Sequence, residues 1–156
     1  YGYIAYIIEG IKDYFSPTKL YKITYEVNGI TKTGYYSFIL ISNANRIAGI
    51  NNFYRDVKLD DDKFEVLLCN FNRRKDIIKT FSLLMTIDAT KVSGVEFYKT
   101  NNMKIEFEEY PKYSWCIDGE KLNRANLKYE IKNINKVKIM LPTKNINKIF
   151  VNKKID

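Results

Sequence analysis

The sequence predicts a mainly β protein: an antiparallel β-sandwich with an N-terminal helix and one internal helix at about residues 73–86. Three observations carry this. Aromatic residues make up 15% of the chain, with 13 Tyr and 9 Phe, and Ile and Val are frequent while Ala is scarce, a balance that suits strands. Most of the chain breaks into short runs of strand length separated by turn residues, and Asn28-Gly29 is the strongest of these turn signals. Only two stretches carry a helical period. With 156 residues and 46% hydrophobic content, residues 1–156 are expected to form one domain with a core of its own.

Taken in order, Tyr3, Tyr6, Ile7, Gly10, Ile11 and Tyr14 recur at helical spacing until Ser16-Pro17 ends the pattern. Ile23, Tyr25 and Val27 then alternate with Lys22, Thr24 and Glu26, so residues 22–41 read as a hairpin turning at Asn28-Gly29. The end of its second arm, 35–41, is apolar on both faces and reads as a central strand. A polar loop, 42–49, follows. Lys58-Leu59-Asp60-Asp61-Asp62-Lys63 forms a tight acidic turn that enters the apolar strand 64–69. Asn72 is placed to cap a helix whose Ile77, Ile78, Phe81, Leu84 and Met85 share one face. Strands are expected at 95–99, 103–108, 113–118, 127–132 and 137–141, with Pro142 ending the last and one more strand in the tail through Ile146, Ile149 and Val151.

Composition also excludes. The chain has no histidine, which removes imidazole bases, His-metal sites and Ser-His or Cys-His nucleophile pairs. Cys69 and Cys116 lie in separate strand-like runs without a CxxC partner, so both read as buried free thiols in a reducing, cytoplasmic setting. No apolar run approaches the ~20 residues that span a bilayer, and the first residues do not read as a signal peptide, so a soluble protein or one peripheral at the inner face of the membrane is expected. Beginning at Tyr1, the chain reads as a piece of a longer protein.

The net charge of +8 lies at one end. Residues 1–120 hold 16 basic and 16 acidic side chains, and the remainder holds ten basic ones against Glu130 and Asp156. Such a segment suits an anionic membrane surface or another polyanion, or is simply a solvated face. No nucleic-acid module motif accompanies it, so nucleic acid is not an expected partner.

Two stretches are candidates for chemistry. In Trp115-Cys116-Ile117-Asp118-Gly119-Glu120 an apolar strand stops at two carboxylates around a glycine that lets the backbone turn. A sheet edge could aim Asp118 and Glu120 into a cleft, although Asp-Gly-Glu is also an ordinary turn composition. The acidic turn at Asp60-Asp61-Asp62 sets three carboxylates side by side, a repulsion that water or a hard cation such as Mg²⁺ or Ca²⁺ relieves. Its spacing does not match an EF-hand loop.

The order of these segments resembles the C-terminal part of the bacterial diacylglycerol kinase and sphingosine kinase-like lipid kinases. The likeness lies in a Gly2-Tyr3-Ile4-Ala5-Tyr6 helix, a hairpin, the 43–49 loop, Lys58-Leu59-Asp60-Asp61 before Phe64-Glu65-Val66, a helix, Val95-Glu96-Phe97, and Asp118-Gly119-Glu120. It covers residues 1 to about 142. The resemblance implies a β-sandwich domain that forms one wall of an active-site cleft; the N-terminal nucleotide-binding domain, with its Gly-Gly-Asp-Gly-Thr motif, is absent from this sequence. It further implies transfer of the γ-phosphoryl group of ATP to a lipid with a free hydroxyl, with Mg²⁺ required and ATP held mainly by the missing domain, so that this chain alone is inactive. Carried onto this sequence, Glu120 is similar to the general base and Asp118 to its acidic neighbour. The Asp61 side chain, with the backbone carbonyls of Lys58 and Lys63, resembles a structural metal site. Asp62 stands where the family pattern has Gly, and the usual multi-glycine run of the 43–49 loop is reduced to Ala48-Gly49-Ile50.

The alternative is a non-enzymatic basic β-sandwich module that binds anionic membrane or another polyanion. A two-carboxylate hydrolase built on Asp118 and Glu120 is a third reading, with nothing else in the sequence to support a sugar site. The identity of the lipid is left open, as is a homodimer.

Overall fold

The computed structural model describes residues 17–44, 57–76, 78–79 and 92–134. The expected N-terminal helix and the strands after residue 134 lie outside the described residues. So does much of the internal helix, of which residues 74–76 and 78–79 are helical and Ile78 is half exposed.

Alternation of apolar and polar residues builds the first sheet. In β1 (Tyr21–Val27) Ile23, Tyr25 and Val27 are buried, and in β6 (Asn102–Phe107) Met103, Ile105 and Phe107 are buried between exposed neighbours. The two strands pair antiparallel so that Ile23 faces Phe107, Tyr25 faces Ile105 and Val27 faces Met103, which joins both apolar rows into one face. β2 (Ile30–Tyr36) flanks β1 and β9 (Lys128–Lys132) flanks β6. Asn28 and Gly29 both have positive φ, 50° and 75°, the geometry of the two-residue turn that joins right-twisted strands.

β3 (Phe38–Ser42), β4 (Phe64–Cys69) and β5 (Val95–Thr100) form the second sheet in that order, again antiparallel. The β4 strand is fully buried. Its Phe64, Val66 and Leu68 pack with the first sheet's apolar row, while Leu67 and Cys69 pack on the opposite face with Val57, Phe38 and Phe97. The architecture is therefore the expected antiparallel sandwich, with its main core between the sheets.

One hairpin is shorter than the sequence suggests. The arm read as continuous through residue 41 breaks at Ser37, where the chain leaves the first sheet and starts the edge strand of the second. There the Ser37 N–H donates to the Cys69 carbonyl at 2.9 Å, its hydroxyl donates to the same oxygen, and the same hydroxyl accepts from the Phe71 N–H. The second corner is Thr100 to Asn102. Its Thr100 hydroxyl donates to the Asn102 carbonyl and accepts from the Asn102 N–H. Among the described residues no helix is long and apolar enough to cross a membrane.

Candidate functional site: an apolar cleft under a carboxylate hairpin

Between the sheets, at the end where the chain crosses at Ser37, lies a cleft of about 1070 Å³, at the upper end of the range for small-molecule sites. Its walls are apolar: Phe38 to Ile41 of β3 on one side, Ile23 and Phe107 of the first sheet on the other, and Pro111, Tyr113 and Trp115 across the mouth. Polar groups are few there, and Ser37, Ser42 and Ser114 are among them.

The segment that closes this mouth is pinned to the sandwich at several points. The Tyr21 hydroxyl accepts from the Lys112 N–H at 2.8 Å, and Lys22 and Lys19 pair with Glu108 and Glu109. Trp115 lies edge-on to Tyr129 of β9, ring centroids 5.4 Å apart. Its carbonyl accepts from the Leu122 N–H at 2.8 Å, and the Ser114 hydroxyl donates to the Leu122 carbonyl at 2.6 Å. These contacts hold a small hairpin, β7 (Cys116–Ile117) and β8 (Glu120–Lys121), against the cleft.

Asp118 and Gly119 are the two turn residues of this hairpin, with φ of 49° and 90°. Asp is one of the few side chains that accept this left-handed backbone, and Gly has no Cβ to strain. Both residues border the cleft. Glu120 pairs with Ile117, which puts the two on one face of the hairpin; both are exposed and neither lines the cleft. The strand expected at 113–118 is thus two residues long, with Asp118 in the turn after it. Cys116 is exposed rather than buried, because its two-residue strand lies at the open cleft, where every strand residue of the hairpin is exposed. Cys69 is buried as expected, and burial pushes its thiol up to about 12.

The acidic turn is a separate place, since no residue of 58–63 lines the cleft. Within it the Asp61 carboxylate accepts from the Lys63 N–H at 3.1 Å. Asp62, standing where the lipid-kinase pattern has Gly, takes a glycine-like φ of 56°. Among the described residues no group of three or more acidic or thiol side chains gathers for a metal. Directly after the turn, though, Glu65 is buried with both carboxylate oxygens unpartnered. Oxygen acceptors of the kind a hard cation takes are therefore present beside the turn.

A third cluster was not read from the sequence, where Glu96 figured only within Val95-Glu96-Phe97. Glu96 of β5 accepts from the hydroxyls of Tyr25, Tyr36 and Tyr98 and from the Lys32 ammonium, gathering side chains of both sheets. Burial pushes its pKa up, but these donors outweigh burial and hold it at about 2. Burial and the Glu96 bond push Tyr25 well above the usual phenol range. Gly34 is part of the arrangement, because a Cβ there would lie 2.6 Å from the Tyr36 hydroxyl oxygen. Because Glu96 of the second sheet is bonded to Tyr25, Lys32 and Tyr36 of the first, the cluster clamps the sheets together.

Of the basic C-terminal residues, Lys128 pairs with Glu106 and Lys132 with Glu130, each at 2.9 Å. Lys121 and Arg124 are exposed.

No family model matches the chain, and no curated protein matches it by sequence. Solved structures do match it by fold. A protein from Bacillus anthracis str. Sterne, provisionally named a diacylglycerol kinase, superposes with a TM-score of 0.58 at 15% identity, over 85% of this chain and 44% of its own. A second structure under that provisional name, from the same organism, gives 0.55 at 16% identity, over 74% of this chain and 38% of its own. The chain has the fold of part of these provisionally named diacylglycerol kinases. It spans less than half the length of these kinase chains, and at this identity the likeness concerns the fold.

Proposed function

We propose that the chain is the acceptor-binding half of an ATP-dependent lipid kinase of the diacylglycerol kinase type, inactive without its nucleotide-binding partner domain. The observation that carries the reading is the placement of the Asp118-Gly119 turn on the rim of a large apolar cleft, in a fold shared with proteins of that provisional name. Apolar walls suit acyl chains, and a rim carboxylate suits the hydroxyl at the end of such a molecule.

The chemistry asked of these residues is modest. A lipid hydroxyl attacking phosphorus must be held in line and lose its proton, and a positioned carboxylate can do both. Glu120 is assigned as general base and Asp118 as the neighbour that orients the hydroxyl at the cleft rim. Mg²⁺ supplied with ATP would neutralise charge on the transferring phosphoryl group. A second, structural Mg²⁺ would be held by the Asp61 side chain and the backbone carbonyls of Lys58 and Lys63. Peripheral contact with anionic membrane through exposed basic residues such as Lys121 and Arg124 is part of this reading, since the acceptor is membrane-borne.

In the longer protein that carries this chain, Glu120→Gln is expected to abolish phosphoryl transfer from ATP to diacylglycerol while leaving the thermal unfolding temperature unchanged. Near wild-type turnover in that variant would remove Glu120 from the mechanism. Robust lipid phosphorylation by residues 1–156 alone would contradict the half-site reading.

A further inference from the structure

A buried carboxylate in the second sheet has no hydrogen-bond donor. Glu65 is fully buried, and neither Oε1 nor Oε2 has a hydrogen-bond partner. Such a group is costly unless it is paired, protonated or bound to a metal. In register on either side of it are Ser42 of β3 and Lys99 of β5. The Ser42 hydroxyl is itself buried and without a partner, so three oxygens on one face of the sheet lack donors. Lys99 does not supply them: its ammonium is 3.9 Å from Oε1, beyond hydrogen-bond distance. Asp61 stands four positions before Glu65, in the turn that leads into β4, where its carboxylate accepts from the Lys63 N–H at 3.1 Å. A buried carboxylate and a buried hydroxyl thus share one face of the sheet directly after the acidic turn, and no described side chain donates to either.

We propose that Glu65 is an inner ligand of a divalent cation seated between the acidic turn and the start of β4, with the Asp61 carboxylate and the Ser42 hydroxyl as its other side-chain ligands. An all-oxygen set with two carboxylates suits Mg²⁺ or Ca²⁺, which complete their shells with backbone carbonyls and water. The inference rests on the metal reading of the acidic turn given above and extends that site from the turn into the central strand. It also gives the cation a structural task, since the ion would tie the Asp60-Asp61-Asp62 turn to the buried strand that follows.

Thermal unfolding and isothermal titration calorimetry of the chain in EDTA, then with MgCl₂ or CaCl₂, test this without any kinase assay. Wild type should gain several degrees when the cation reaches about 100 times its Kd. Glu65→Gln should lose that gain and the calorimetric heat, yet in EDTA unfold no lower than wild type, because it removes a buried carboxylate that has no hydrogen-bond donor and only a Lys99 ammonium 3.9 Å away. Asp61→Ala should lose the gain as well. Should Glu65→Gln keep the full shift while Asp61→Ala loses it, the turn binds the cation alone and the role of Glu65 is overturned. A Glu65→Gln protein that unfolds well below wild type in EDTA would show that Lys99 already satisfies the carboxylate, which also overturns it. No wild-type response to about 10 mM of either cation would remove the metal site altogether.

Discussion

Tyr25 on the first sheet donates a 2.6 Å hydrogen bond to Glu96 on the second, joining two strands more than seventy residues apart in sequence across the sandwich core. Tyr36, Tyr98 and Lys32 complete the set around the same carboxylate. Hydrogen bonds to a charged acceptor are each worth about 1.5–3 kcal/mol, so this cluster carries more of the sheet-to-sheet registration than its size suggests.

A pH dependence follows from the Glu96 carboxylate. Its pKa is lowered from an ordinary 4.5 to about 2 in the fold. A depressed folded value contributes stability that is fully present above the unfolded pKa and is lost as pH falls through the folded one. Urea midpoints of wild type should therefore fall between about pH 5 and pH 2 more steeply than those of Glu96→Gln, which should be less stable near neutrality by on the order of 2 kcal/mol. Parallel acid profiles for the two proteins would show that Glu96 is not the group responsible.

Gly34 tests how tightly the cluster is packed. A methyl group at this position would collide with the Tyr36 ring and hydroxyl, so Gly34→Ala should cost about 1–3 kcal/mol in the wild-type background. In a Tyr36→Ala background the obstacle is gone and the same change should cost close to nothing, a coupling that a double-mutant cycle reads directly. Additive costs would mean that Tyr36 is free to move aside.

The two cysteines should separate cleanly. Cys116 is exposed and Cys69 is buried with its thiol pushed up to about 12, so a thiol reagent should modify one equivalent in the native protein and two in guanidinium. Since Cys116 lines the cleft, its modification with a bulky maleimide should also weaken lipid binding, whereas modification of both thiols in the native state would contradict the placement of Cys69.

How much of this was legible in the sequence depends on the range of the interaction. Local signals held well: alternation located β1 and β6, and Asn28-Gly29 marked its turn, because both depend on residues a few positions apart. The break at Ser37 gave no such signal. Residues 35–41 are apolar on both faces apart from Ser37, and what redirects the chain is the hydroxyl of that serine, bonded to the end of β4 thirty-two residues away. Glu65 stood in a run read as an apolar strand with no role given to its carboxylate, and β4, covered on both faces, buries it. Glu96 was read only as part of the Val95-Glu96-Phe97 segment of the lipid-kinase likeness, and its donors come from four other positions on two sheets. Asp118-Gly119-Glu120 was legible both as a turn and as a carboxylate edge. It is indeed a turn, and the cleft that gives it a second meaning is assembled from β1, β3 and β6, beyond the reach of local reading.

Trp115, the chain's single tryptophan, lines the cleft and offers the most direct test that this cleft holds the lipid acceptor. Its emission should be titrated with dioctanoylglycerol below the concentration at which that lipid aggregates, in wild type and in Ile41→Asp, which places a charge on the cleft wall. A saturable blue shift in wild type that is absent from a folded Ile41→Asp protein is the predicted result. An emission spectrum that does not respond to the lipid in wild type, or a shift that survives intact in Ile41→Asp, would contradict the assignment of the cleft as the acceptor site.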